Sequence, residues 1–188
     1  MNKSVEQDYS IYCLENLTEE NIKKYSNIAR QHVKSQDDYI NEEEGFILTS
    51  NFPSCFEDAS RIYVDNVKNP AYILIVFNND VYLNHFGKLP NVVSKLDHQK
   101  IPHGYVVLKN KNQEGDYKKF INEFFRYESN EYGSKGLWVL IAKNPFDNKK
   151  SREIHEPLGF SKIGNHITEN DIYLDGIPVD WDVYLKKY

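Results

Sequence analysis

Cysteine is nearly absent from this sequence, with only Cys13 and Cys55 present. Two thiols at that separation match no zinc-ligand spacing, and free thiols in a reducing cytoplasm are the simplest expectation. Long hydrophobic runs are missing too. None approaches the ~20 apolar residues of a membrane span, and the N-terminal MNKSVEQDYS lacks the apolar region of a signal peptide. The expected setting is therefore cytoplasmic, with no membrane partner. Positive charge is in short supply: the formal net charge is -5 with no strong Lys/Arg cluster, which argues against a nucleic-acid partner. A local basic loop can still hold a small anion. There is no GxGxxG and no P-loop, and no serine-centred elbow. The six histidines are scattered without an HExxH, so no metal site is expected. No internal repeat is found.

What is present is apolar and aromatic. Hydrophobic residues make up 40% of the 188, with 14 Tyr and 10 Phe, enough for one domain over 1–188 with one sizeable core. Tyr9–Leu14 reads as a first strand. Thr18 caps a helix whose face is Ile22, Tyr25, Ile28, Ala29 and Val33. Asp37–Glu44 reads as a loop and Gly45–Thr49 as a short ordered segment or strand leading to Pro53. Ser54–Glu57 resembles a capping box, opening a helix with Phe56, Ala59, Ile62 and Tyr63 inward that stops at Asn69-Pro70. The unbroken apolar run Ala71–Phe77 predicts a buried central strand. Asn78–Asp80 has turn chemistry, and Val81–Phe86 is expected to return as the second strand of a hairpin.

Lys88–Lys100, with Pro90, reads as an excursion, Gly104–Lys109 as a strand and Asn110–Gly115 as a loop. A helix from about Asp116 to Tyr132-Gly133 carries Tyr117, Phe120, Ile121, Phe124 and Phe125 on one face. Leu137–Ala142 is again fully apolar and is expected beside the previous strand, as a parallel crossover. Asp147 is expected to cap a short helix with Ser151, Ile154, His155 and Leu158 on one face, limited by Pro157. Ile163–Ile167 and Val179–Leu185 read as strands, with a turn at Asp175-Gly176. The fold class is α/β: a mixed central sheet of about seven strands with helices on both faces.

This order resembles the GNAT superfamily of acyl-CoA N-acyltransferases. The specific match is to N-x-x-S-x-x-(F/L)-(Y/H)-x-x-L-G-F-x-x-(V/I)-G, which here reads Asn148, Ser151, Ile154, His155, Leu158, Gly159, Phe160, Ile163 and Gly164. The match proper covers the last third of the chain. The family's pyrophosphate signature, (Q/R)-x-x-G-x-(G/A), corresponds to Asn112-Gln113-Glu114-Gly115-Asp116-Tyr117. Gly115 keeps the first glycine, Asn112 replaces Gln or Arg, and Tyr117 replaces the small residue that lets phosphate reach the backbone at the helix N-terminus. Glu114 and Asp116 add negative charge, offset by Lys109, Lys111, Lys118 and Lys119.

The resemblance implies N-acetyl transfer from acetyl-CoA, as cosubstrate, to a small-molecule or protein primary amine, by a monomer or homodimer. It implies that His155 stands where the family commonly has a tyrosine donating to the CoA sulfur. It further implies that Val107 and Leu108 offer backbone to the thioester and pantetheine, that Asn112, Gly115, Asp116 and Tyr117 meet the pyrophosphate, and that Asn148 and Ser151 meet the pantetheine arm. Each has a plain alternative in packing or capping; Gly159, for one, suits any left-handed helix C-terminus. The general base stays open among Glu114, Asp97, His98, His103 and Glu42–Glu44. So does a second possibility, a catalytically impaired protein of this fold acting as a ligand-binding or regulatory module.

Overall fold

The computed structural model describes residues 9–15, 17–34, 54–96, 100–109, 114–144, 147–169 and 178–188. The strands are β1 (Tyr12–Leu14), β2 (Arg61–Val64), β3 (Tyr72–Phe77), β4 (His103–Lys109), β5 (Gly136–Asn144), β6 (Ser161–Thr168) and β7 (Val179–Lys187). The helices are α1 (Glu19–Lys34), α2 (Ser54–Glu57), α3 (Asn79–Phe86), α4 (Tyr117–Tyr132) and α5 (Lys149–His155), the last running into a 3-10 turn, Glu156–Leu158. The sheet order is β1-β2-β3-β4-β5-β7-β6. Neighbouring strands are antiparallel except β4 and β5, which are parallel.

Alternation along β3 sorts the core into two layers. Tyr72, Leu74 and Val76 pack with Phe120, Ile121, Phe124 and Phe125 of α4. Ile73, Ile75 and Phe77 pack with Tyr25 and Ala29 of α1 and Phe56 of α2. Helices thus cover both faces, and all six β3 residues are buried, which is why this strand reads as a continuous apolar run rather than an alternating one.

Two expected elements are exchanged. The helix opened by Ser54 stops after one turn, and its supposed inner residues Ile62 and Tyr63 lie on β2, between β1 and β3. Tertiary partners decide this. Arg61 gives its Nε to Glu128 Oε1 of α4 at 2.9 Å, Tyr63 gives its hydroxyl to the same oxygen at 2.5 Å, and Ser134 gives its hydroxyl to Oε2 at 2.6 Å. Glu128 is fully buried, so the carboxylate depends on all these donors. Conversely, Val81–Phe86 forms no hairpin strand but belongs to α3. Asn78 is extended at its start, and Gly87, at φ 71, closes it with its N–H on Leu83 O. Over six residues a period of 2 and one of 3.6 are hard to separate; the left-handed glycine is the distinguishing signal. Among the described residues the strand count of seven survives because one strand replaces another.

Within the described part of the Lys88–Lys100 excursion Leu89 and Val93 are buried, with Ile101 just beyond it, against Tyr82, Trp138, Val183 and Leu185. The expectations at Asp37–Glu44, Gly45–Thr49, Asn110–Gln113 and Asp175-Gly176 lie outside the described residues. Among the described residues no helix is long and apolar enough to cross a membrane.

Candidate functional site

The two edges of β4 are unlike. Toward β3, pairing runs from Tyr72↔Lys109 to Phe77↔His103. Toward β5, the ladder has one pair, His103↔Trp138. The expected neighbour strands therefore meet at one end only. Beyond that point β5 is occupied on its other edge by β7, along Gly136–Asn144. Among the described residues, backbone N–H and C=O groups of β4 and β5 that point toward each other past the apex have no ladder partner, and such groups demand partners. The result is a wedge between two parallel strands.

The apex is locally built. Between Ile75↔Val106 and Val76↔Gly104 the register shifts, which places one extra β4 residue there as a bulge and turns the strand. A Cβ on Gly104 would stand 2.9 Å from Leu137 Cδ2, so any larger residue here would have to displace the Leu137 side chain where β4 meets β5. Side chains reinforce the single pair. His103 stacks on Trp138 with ring centroids 4.0 Å apart and gives Nδ1–H to the Trp138 carbonyl at 3.2 Å. Trp138 Nε1 donates to Asn79 Oδ1 at 2.9 Å, and Asn79 Nδ2 donates to Ile101 O at 3.1 Å. Burial pushes His103 down to about 3, partly opposed by the Trp138 carbonyl bond, so it is neutral and sealed at the apex. Nearby, burial and then Lys88 push His166 down to about 4. Tyr82 leans on both imidazoles.

At the mouth of the wedge, α4 begins where the pyrophosphate signature is expected. Asp116 is its N-cap, accepting from Lys119 N at 3.0 Å. Gly115 is held down: Tyr72 gives its hydroxyl to Gly115 O at 2.9 Å, and a Cβ on Gly115 would meet Tyr72 Cε2 at 2.5 Å. Tyr117 turns inward, its ring 5.5 Å from that of Tyr72, which in turn stacks on Phe120 at 5.4 Å. Among the described residues the buried Tyr117 hydroxyl has no hydrogen-bond partner, and burial raises its pKa. The ring is thus an anchor of α4 in the core, and only its backbone N–H faces the helix end. Glu114 is exposed. Val107 and Leu108 lie on the β4 backbone beside the wedge, and Asn112 lies outside the described residues.

The second helix at the mouth is α5. Its N-cap is Asn148, not Asp147: Asn148 Oδ1 accepts from Ser151 N at 3.0 Å, and Asn148 N donates back to Ala142 O of β5 at 3.0 Å. Asp147 instead pairs with Arg152. An amide caps as well as a carboxylate, and the β5 carbonyl selects which residue takes the position. Ile154 departs from the expected inner face, at 39% exposed. His155 is half-buried. Its Nδ1 lies 2.7 Å from Ser151 O and 3.3 Å from Ser151 Oγ. Its ring stands edge-on to Phe160 at 5.1 Å, and Phe160 contacts Phe125 of α4 at 5.9 Å. That chain of rings puts the imidazole on the side of α5 turned toward α4, on the α4/α5 face of the sheet. Gly159 closes the segment at φ 87.

Among the general-base candidates, His103 is buried at the apex, and Asp97, His98 and Glu42–Glu44 lie outside the described residues. Nothing in residue spacing singles out Asn79 and Trp138, which brace the apex from α3 and β5. Among the described residues no group of three His, Cys, Asp or Glu is placed to hold a metal ion.

No protein-family model matches the chain, and no curated protein matches it. Solved structures do. An N-acetyltransferase from Staphylococcus aureus aligns with a TM-score of 0.58 at 12% identity, over 94% of this chain and 97% of that one. An acetyltransferase from Acinetobacter baylyi aligns at 0.54 and 14% identity, over 97% and 94%. Spermidine N-acetyltransferase from Vibrio cholerae, solved with CoA and spermine, aligns at 0.51 and 12% identity, over 95% of each chain. Likeness at these identities is a likeness of fold.

Proposed function

Starting from a chain with the GNAT acyl-CoA N-acyltransferase fold, we propose that residues 1–188 form one N-acetyltransferase domain. It moves an acetyl group from acetyl-CoA to a primary amine of a small molecule or protein. The observation that carries this reading is the wedge: β4 and β5 pair only at His103↔Trp138 and then part. Pantetheine is an extended arm bearing two secondary amides. It is the kind of group that unpaired strand edges accept, and the α4 and α5 N-termini stand at the wedge mouth. Val107 and Leu108 offer backbone to the arm, and Asn148 and Ser151 line its path. His155 stands by the thioester. Gly115, Asp116, Tyr117 and Asn112 meet the pyrophosphate by backbone or side-chain polar groups, with Lys118 and Lys119 offsetting the acids.

One observation favours a second reading, a binding or regulatory module without turnover. The Asp116 carboxylate already caps α4, in the place where an anion would bind. Thermal-shift titration with CoA and acetyl-CoA, followed by thiol release over an amine panel, separates the two. Ligand at a hundred times its dissociation constant adds about 2.7 kcal/mol of stability. A shift with turnover supports the transferase, a shift without turnover a CoA-binding module, and no shift at millimolar ligand sinks the transferase and favours the impaired module. Tyr117→Gly is expected to destabilise the fold and leave affinity no better, because the ring it removes packs on Tyr72 rather than blocking the helix end.

A further inference from the structure

We propose that His155 is first the proton acceptor of the transfer, working through Nε2, and passes a proton to the leaving sulfur only after taking it from the amine. This rests on the acetyl-CoA reading above and supplies the base it leaves open.

The argument begins with Ser151. A carbonyl oxygen only accepts hydrogen bonds, so the 2.7 Å contact between His155 Nδ1 and Ser151 O requires the proton on Nδ1. The neutral ring then has its lone pair on Nε2. A tyrosine at this position would bring an O–H; this histidine brings a lone pair. Among the described residues Nε2 has no hydrogen-bond partner, and the ring is held edge-on to Phe160, which fixes its plane.

The neighbouring charges are engaged elsewhere. On its own helix Arg152 pairs with Asp147, and Glu156, just beyond it, accepts from the Tyr184 hydroxyl at 3.0 Å. From β7, Lys186 donates to Leu158 O and lies over the Phe125 ring. Asp182 pairs with Lys162 of β6 at 2.7 Å. From α4 the ring meets Phe125 through Phe160. Among the described residues no carboxylate is set against the imidazole to hold it cationic. Burial lowers its pKa, with the Ser151 bond pulling the other way, so the ring is a free base at neutral pH.

The steps balance. The acceptor ammonium gives one proton to Nε2. Its nitrogen lone pair forms the C–N bond to the carbonyl carbon, and the C–S bond breaks with its electron pair on sulfur. Nε2 returns its proton to that sulfur. A second ammonium proton leaves to solvent and the third stays on the amide. Nothing is oxidised or reduced.

The test uses the full chain with spermidine, glycinamide and phenethylamine as probe amines. Long-range 1H–15N correlation at pH 7.5, with and without CoA, should show His155 protonated on Nδ1 and bare on Nε2. His155→Gln should bind CoA within about threefold of wild type yet lose about a hundredfold or more in kcat. The wild-type kcat should fall tenfold per pH unit below an apparent pKa under 6.5, and that limb should vanish in the variant. His155→Tyr should not restore the rate. Full activity in His155→Tyr, a proton on Nε2, or an unchanged kcat in His155→Gln would overturn the assignment. Failure of the wild type to bind CoA would instead overturn the acetyl-CoA reading beneath it.

Discussion

On its β3 side β4 is joined by a ladder that spans the strand; on its β5 side the backbone contributes one pair, preceded by a Lys135 N–H bond to Lys100 O at 2.7 Å, and side chains reinforce it. The first junction is redundant, so losing a side chain there leaves the strands paired. The second hangs on Trp138, His103 and Asn79. The same feature that opens a wedge for a ligand makes the apex depend on a few aromatic and amide contacts, and the comparison can be attacked there.

Acid should have the largest effect. His103 and His166 have folded pKa values of about 3 and about 4, below the ordinary 6.5. Between those values the unfolded chain binds protons that the folded chain does not. Stability is therefore complete above pH 6.5 and lost as pH falls, by about 1.4 kcal/mol per unit for each histidine, or roughly 5 kcal/mol by pH 4.5. Urea unfolding against pH reads this directly, and His166→Asn should flatten the curve. An equally steep curve in that variant would remove His166 from the account.

Trp138→Ala comes next, at about 4 kcal/mol, typical of a buried aromatic reduced to alanine. Hydrogen exchange supplies the sharper readout. The β4 and β5 amides at the apex should lose protection, whereas Ile75→Ala, also costly, should leave the β3–β4 amides protected. Equal loss at both junctions would mean that the apex is not the weaker one. Asn79→Ala should cost about 2 kcal/mol, since it strips Trp138 Nε1 of its acceptor and Ile101 O of its donor. A cost near zero would show that water replaces both bonds.

Long segments with a strong period are legible in the order of residues. The inward face of α4 is the one its spacing predicts, Phe120, Ile121, Phe124 and Phe125, and β3 and β5 are the two unbroken apolar runs. The short segments are not legible in this way. Ile62 and Tyr63 fit a helix face as well as a strand, and only pairing with β1 and β3, together with the buried Glu128 of α4, decides for a strand. Tyr117 reads both as the first residue of the apolar face of α4 and as an obstacle at the helix end, and only its ring contact with Tyr72 decides for the face. His155 is legible as a site position from the Asn148–Gly164 motif. Its protonation pattern is not, since that depends on how close Ser151 O comes to Nδ1.

The residue order alone is enough to say which stretches are apolar enough to be buried, where the long helix runs, and that a motif at Asn148–Gly164 follows a buried strand. Only the folded chain makes residues 61–64 a strand and 79–86 a helix, parts β4 from β5 after one pair, and selects which nitrogen of His155 carries the proton. The difference is one of range. Hydrophobic period and capping act within a few residues and are written in order along the chain, whereas strand partners, a glycine that must admit Leu137 and a carbonyl that fixes a tautomer are set by groups the fold brings together.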